Sequence, residues 1–176
     1  MTSLIVTLVG PDRPGLVSTL SAAVTAAGGN WLESRMAQLA GQFAGIVLVS
    51  LPDKAAATLA DAVARLEREG FQVVVRGGGG QQAESDDTVL QLDVVGQDRP
   101  GIVRDIAEIL ARRGVNIEEL TTHVSSGSFS GEIMFRASAR LRVPASLTAA
   151  DISGDLHHLS HELMVDLSGH APAGAA

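Results

Sequence analysis

Apolar residues along the chain form short runs and helical stripes that alternate with turn residues. The run Leu4–Val9 ends at a Gly-Pro turn and predicts a strand. Apolar side chains from Leu16 to Ala27 then recur on one helical face, and the following glycines end that predicted helix. The rest of this half predicts a hairpin over Trp31–Leu39 and Phe43–Leu51, a helix that opens at Pro52 and Asp53 and ends at Gly70, and a strand over Phe71–Val75.

The second half of the chain predicts the same order of elements. These are a strand Thr88–Val95, a helix Pro100–Arg113, hairpin strands Val115–Val124 and Ser128–Ala137, a helix Ser146–His161 and a strand Leu163–Leu167. Arg140–Val143 is expected to lengthen the link before the last helix. Each half therefore has the β-α-β-β-α-β order of a ferredoxin-like fold. We expect an α+β protein in which each half is a four-stranded antiparallel sheet with two helices on one face.

An internal repeat supports two domains. Val9–Val17 returns 86 residues later as Val95–Val103, and both copies contain Asp-Arg-Pro-Gly. The match continues without a gap, so that Gly28, Asn30, Glu33, Gly41, Phe43 and Gly45 correspond to Gly114, Asn116, Glu119, Gly127, Phe129 and Gly131. We expect domains over residues 1–76 and 88–168, a flexible polar linker over residues 77–87 and a disordered tail over residues 169–176.

Composition narrows the classes of function. The 176 residues include no cysteine, so disulfides and thiolate metal sites are excluded. The net charge is −7, and residues 81–176 carry all of the excess, with fourteen acidic and seven basic side chains. Because no Lys/Arg cluster is present and aromatic residues are scarce, direct nucleic-acid binding is not expected. No signal segment or apolar run near membrane length is present, so we expect a cytoplasmic protein without a membrane span.

The repeated turn is the strongest candidate for a binding site. It follows a predicted strand and opens a helix at Pro14, with Asp12 in position to cap that helix. Free backbone N–H groups at a helix N-terminus favour a carboxylate, and Gly15 allows close approach. Asn30 adds amide donors and an acceptor that suit an amino acid. The alternative is purely structural: the aspartates cap, the glycines pack and the asparagines shape turns.

Other polar groups give no support for catalysis, for a metal or for a cofactor. His157 and His161 share a helical face, but no third ligand follows at a suitable spacing, so a solvated face is favoured. The serines from 125 to 130 lack a nucleophile elbow and are interpreted as a polar turn. Glu118 and Glu119 are strand neighbours that point to opposite faces, so at most one could face a site.

The repeated residues resemble the ACT domain. Asp-Arg-Pro-Gly-Leu/Ile-Val after the first strand, with Gly-x-Asn-(Trp/Ile)-x-Glu at the second, is similar to that family over residues 3–76 and 88–168. Two such domains without another domain resemble the glycine cleavage system transcriptional repressor group, and Gly29–Ala37 looks close to that group. The ligand-facing positions that this resemblance implies are Asp12, Arg13, Pro14, Gly15, Leu16 and Asn30 in the first copy and Asp98, Arg99, Pro100, Gly101, Ile102 and Asn116 in the second.

The resemblance implies a regulatory function. ACT domains are small regulatory modules that commonly bind amino acids at the interface between two copies. We therefore expect a non-enzymatic regulator that binds a small amino acid and signals to a protein partner, in transcriptional control of amino-acid metabolism. We also expect a homodimer. The alternative is an interaction or assembly module without a ligand.

Overall fold

Two units with the same order of elements make up the chain in the computed structural model, which describes residues 1–53, 55–78, 86–126, 132–159 and 163–169. The units are residues 1–83 and 84–176. The first contains β1 (Thr2–Pro11), α1 (Leu16–Ala26), β2 (Asn30–Leu39), β3 (Gln42–Leu51), α2 (Ala56–Arg68) and β4 (Gln72–Gly77). The second contains β5 (Thr88–Gln97), α3 (Ile102–Arg112), β6 (Asn116–Ser126), β7 (Ile133–Val143), α4 (Ala149–Leu156), a 3-10 turn (His157–Leu159) and β8 (Leu163–Gly169).

Each unit is an antiparallel four-stranded sheet, and this confirms the expected fold class. The strand orders are β2-β3-β1-β4 and β6-β7-β5-β8. In β1, Val6 and Leu8 are buried while Thr7 between them is exposed, because successive side chains point to opposite faces. The buried face packs against both helices of its unit, which contribute Leu20 from α1 and Leu66 from α2 to one core. The second unit has its own core, with the residues Leu92, Val94, Ile106, Leu110, Leu141 and Ile152 among its members.

The helices after the first strand of each unit begin two residues later than expected. α1 starts at Leu16 rather than at Pro14, and its N-cap is Gly15, with no side-chain hydrogen bond from Asp12. The first backbone bond of the helix runs from the Thr19 N–H to the Gly15 carbonyl, at 2.9 Å. The prediction of an aspartate cap and a proline at the first helical position was therefore wrong. The physical reason is that β1 stays paired through Pro11, so the chain still has to turn before a helix can begin.

The ungapped repeat was also wrong in the hairpin. Gly10 pairs with Phe43, and its equivalent Gly96 pairs with Phe135 rather than with Phe129. The two halves thus differ by an extra six residues in the second hairpin, since β1 and β5 are offset by 86 residues but β3 and β7 by 92. Residues 127–131, at the tip of that hairpin, lie outside the described residues.

The extra length does not fall in the link before the last helix. Arg140–Val143 belongs to β7, where Leu141 and Val143 are buried and the two arginines that alternate with them face the other side of the sheet. The last helix is shorter than the expected Ser146–His161. It starts after Thr148, whose hydroxyl accepts the Asp151 N–H while the Asp151 side chain accepts the Thr148 N–H.

Only parts of the expected linker and of the expected tail lie within the described residues. Gly77 is the last residue of β4, and Gly169 is the last residue of β8. The rest of the expected tail, most of the expected linker, and Ser128, Ser130 and His161 lie outside the described residues. Among the helices that are described, none is long and apolar enough to cross a membrane.

The β2–β3 hairpin contains a strained residue whose replacement is informative. Ala40 and Gly41 form the two-residue turn with φ values of 49° and 77°. Two residues with positive φ form the turn that prefers Asn-Gly. We expect Ala40→Asn to raise the free energy of unfolding by on the order of 1 kcal/mol, because alanine is disfavoured in the left-handed region. Urea unfolding measures the change.

Ala37→Asn is the matched control, because Ala37 is exposed in β2 just before the turn and has no positive φ. It should give no gain in stability. Equal gains in both variants would contradict the assigned strain at Ala40.

Candidate functional site

The loop between the first strand and the first helix has the same backbone in both units. The Asp12 N–H donates to the Gly41 carbonyl at 2.9 Å, and the Asp98 N–H donates to the Ile133 carbonyl at 2.8 Å. These bonds tie the loop to the start of the third strand. Gly15 and Gly101 then adopt φ values of 85° and 87°, which L side chains rarely adopt.

The glycine turn separates an exposed loop from a buried helix face. The loop residues are exposed in the first unit, whereas Leu16 is only 3% exposed and its equivalent Ile102 only 4%. Because neither helix has a side-chain cap, its first N–H groups are left without a partner from a capping side chain. The structure therefore brings together the loop positions Asp12, Arg13, Pro14, Gly15 and Leu16, and likewise Asp98, Arg99, Pro100, Gly101 and Ile102.

In the first unit, Arg13 contacts the loop before β4. Its guanidinium forms an ion pair with Glu69 and lies over the ring of Phe71, 5.3 Å from the ring centre. A side chain on Gly15 would meet no atom within 4 Å. The space over this glycine, beside the N-terminus of α1, is open. Thr19, in the first turn, donates its hydroxyl to the Gly15 carbonyl at 3.0 Å.

In the second unit, the equivalent loop holds a carboxylate of the chain itself. Arg99 Nη1 donates to Asp105 Oδ2 at 2.8 Å, and Arg104 Nη2 donates to Asp105 Oδ1 at 3.0 Å. The hydrogen bond from Arg99, and then that from Arg104, holds the pKa of Asp105 below its usual value. The carboxylate is therefore ionised at neutral pH. Arg104 and Asp105 also occupy the space over Gly101, with the nearest guanidinium atom 3.4 Å from the position of a side-chain carbon there.

The asparagines lie at the other end of each sheet. Asn30 pairs with Ser50, and Ser50 pairs with Ser3, whereas the loop follows Pro11. Along β1, Ser3 and Pro11 are separated by about 26 Å, at roughly 3.3 Å per residue. Asn116 lies at the same register in the second unit, opposite Arg142. The structure does not bring either asparagine to the loop of its own unit.

Other candidate groups are accounted for by the fold. Glu118 lies in a bulge of β6 and pairs with two arginines of β7. Arg142 Nε donates to Oε1 at 2.5 Å, and Arg140 Nε lies 3.1 Å from Oε2 without hydrogen-bond alignment. A carboxylate held in this way is part of an ion-pair network. His157 is exposed in the 3-10 turn. Over the described ranges, no group of three His, Asp or Glu side chains is placed to hold a metal ion.

Four residues near the loops did not emerge from the sequence as site residues. Asp105 had a local signal, since an acidic residue in the first turn of a helix complements the helix dipole. Its counterpart Thr19 had none. Glu69 and Phe71 reach the first loop only through the fold, because they are 56 and 58 positions from Arg13.

Comparison with known proteins identifies the family that these loops and sheets belong to. One model of the ACT domain matches residues 2–76, and a second model of the ACT domain matches residues 90–156. The chain belongs to the ACT domain family and contains two ACT domains in tandem. ACT domains are regulatory modules.

Two solved structures extend over almost the whole chain. An unknown protein from Galdieria sulphuraria is 33% identical, with a TM-score of 0.86, and the match covers 97% of this chain and 99% of that one. A candidate glycine cleavage system transcriptional repressor is 18% identical, with a TM-score of 0.69, and the match covers 96% of this chain and 98% of that one. The second likeness shows a shared fold. No curated protein matches the chain.

The first loop depends on close packing between Gly10 and Phe71. A side-chain carbon on Gly10 would lie 2.3 Å from the Phe71 ring, so the ring beneath Arg13 would have to move. We expect Gly10→Ala to lower the free energy of unfolding by roughly 1–3 kcal/mol through overpacking. It should also change the NMR signals of the Arg13 side chain, which lies over that ring.

Gly77→Ala is the control for this substitution, since a side-chain carbon there meets nothing within 4 Å. It should leave both the stability and the Arg13 signals near their original values. Unchanged stability of Gly10→Ala would show that Phe71 does not need the glycine.

Proposed function

We propose that the protein is a non-enzymatic, cytoplasmic regulator that binds a small amino acid and passes its occupancy to a protein partner. The observation that carries this proposal is the open space over Gly15 at the uncapped N-terminus of α1. Backbone N–H groups at that end of a helix attract a carboxylate. α1 has no acidic residue in its first turn that would compete.

The loop supplies the carboxylate contact but not every contact that an amino acid needs. Because Asn30 and Asn116 lie at the far end of their own sheets, either amide could complete a site only in another ACT domain. This geometry supports binding where ACT domains meet, and a homodimer is the functional form that we propose. The ligand-facing residues proposed are the loop positions of one domain and the asparagine of another.

A role in transcriptional control is part of the proposal. The similarity in sequence pattern and fold to a candidate glycine cleavage system transcriptional repressor supports it. The net charge of −7 disfavours contact with DNA phosphates. The protein would therefore act through a partner protein and not by binding DNA itself.

A second candidate function is that of an interaction module without a ligand. The sheet face opposite the helices of the first unit carries exposed apolar side chains: Val9, Ile46 and Val74 are 39%, 53% and 48% exposed. Ile46 and Val74 flank Thr7 on β1. The equivalent positions of the second unit flank Asp93 and are Ser138 and Asp166, so the second unit is polar at the places where the first has Ile46 and Val74.

Calorimetry with the twenty standard amino acids tests the proposed ligand class. We expect at least one amino acid to bind with a Kd below about 1 mM, and Asn30→Ala to weaken that binding by roughly 0.5–1.5 kcal/mol through a lost hydrogen bond. Asn30 is exposed, so its removal should not disturb the fold.

Gln38→Ala is the control, because Gln38 is exposed near the other end of the same strand. It should bind as the unmodified protein does. If none of the amino acids binds below millimolar concentration, the interaction module becomes the better description.

Light scattering tests the proposed dimer. The chain has a mass of 18.2 kDa, and we expect about twice that mass at micromolar concentration. Small domains bury modest cores and gain stability by pairing, and exposed alanines such as Ala22 and Ala26 allow helices to approach closely. A mass near that of one chain would refute the dimer.

A further inference from the structure

The two loops share a backbone but differ in what lies over the glycine. Over Gly15 there is no atom within 4 Å of a side-chain position, whereas over Gly101 the Arg104 guanidinium is at 3.4 Å and the Asp105 carboxylate at 4.0 Å. Both glycines have nearly the same φ and both helices lack a side-chain cap. The difference therefore comes from side chains alone.

Two pairs of equivalent residues account for this difference, namely Ser18 with Arg104 and Thr19 with Asp105. Thr19 and Asp105 occupy the same place, since the N–H of each donates to the carbonyl of its glycine at 2.9 Å. Thr19 turns its hydroxyl back onto that carbonyl and leaves the helix end open. Asp105 instead extends its carboxylate to Arg99, the equivalent of Arg13, and to Arg104, the equivalent of Ser18.

We propose that Asp105 occupies the second loop as an internal carboxylate, so that only the first loop of each chain accepts the carboxylate of an amino acid. Thr19 and Asp105 are then the residues that determine which ACT domain binds. This inference rests on the proposed function, and it adds a stoichiometry of one ligand per chain.

The ion pairs differ between the two loops. In the second loop, both guanidiniums already pair with one ionised carboxylate, so a ligand carboxylate would have to displace or share that internal partner. In the first loop, Arg13 is paired with Glu69, which lines one cavity together with Ser18 and Thr19, and the first turn of α1 itself carries no acid. A ligand carboxylate there meets no competing anion in that turn.

The pair can be exchanged between the loops. Thr19→Asp gives the first loop the acid of the second, and Asp105→Thr gives the second loop the hydroxyl of the first. Thr19→Asn is the matched control, because it has the size of aspartate without the charge. An acid in the first turn of a helix favours folding, so Thr19→Asp should remain folded.

The experiment is a titration of ¹⁵N-labelled protein with each of the twenty standard amino acids, followed by NMR at the backbone amides of Gly15 and Gly101. Calorimetry of the same samples measures the number of molecules bound.

For the unmodified protein we expect shifts at Gly15 but not at Gly101, and one molecule bound per chain. Thr19→Asp should weaken this binding by about tenfold or more through like-charge repulsion, while Thr19→Asn should not. Asp105→Thr should add shifts at Gly101 and a second bound molecule.

The outcomes separate this inference from the function on which it rests. If no amino acid binds the unmodified protein, the sensing function itself fails. If two molecules bind per chain, or if Thr19→Asp binds as tightly as Thr19→Asn, amino-acid binding stands and the inference is wrong. Loss of binding in Asp105→Thr would also overturn it, because Asp105 would then contact the ligand.

Discussion

A left-handed glycine after the first strand is the constraint on which each unit depends. The strand must stay paired to its end, yet the following helix must bury its first apolar residue at once. Gly15 and Gly101 meet both demands, because their positive φ reverses the chain within one residue and places Leu16 and Ile102 in the core. The same turn leaves the helix N-terminus in an exposed loop, so the packing requirement and the candidate binding site have one cause.

The order of elements could be predicted from the sequence, but the register of the second hairpin could not. Apolar periodicity identified every strand and helix, because each has one buried face. The ungapped repeat hid an insertion. Phe129 lies 86 residues after Phe43, as an ungapped repeat requires, but Phe135 is the residue that pairs with Gly96 in the structure. The alternation in Arg140–Val143 was a signal for a strand that continues, and treating these residues as a link concealed it. The register of the second hairpin is set by which residues pair across β6 and β7, and these pairs became known only from the structure.

The candidate site could be predicted only as far as it is local. The loop residues are consecutive, so one motif identified them all. The pairing of Arg13 with Glu69 joins residues from different elements and needed the structure. The position of Asn30 follows from the topology. Since β1 and β2 both pair antiparallel with β3, the start of β2 lies at the same end of the sheet as the start of β1, whereas the loop follows the end of β1. Proximity in sequence suggested a contact that the strand directions do not allow within one unit.

The two units retain a common backbone and differ in their polar groups, and the differences fall at corresponding places. At the helix N-terminus, a threonine in one unit corresponds to an ion-paired aspartate in the other. On the open sheet face, Ile46 and Val74 correspond to Ser138 and Asp166. In both comparisons the first unit has the less satisfied surface, with open space over Gly15 and exposed apolar side chains, whereas the second has ion-paired or polar side chains at those places. Unsatisfied groups are the ones that gain free energy from a ligand or a partner. The first unit is therefore the better candidate for recognition.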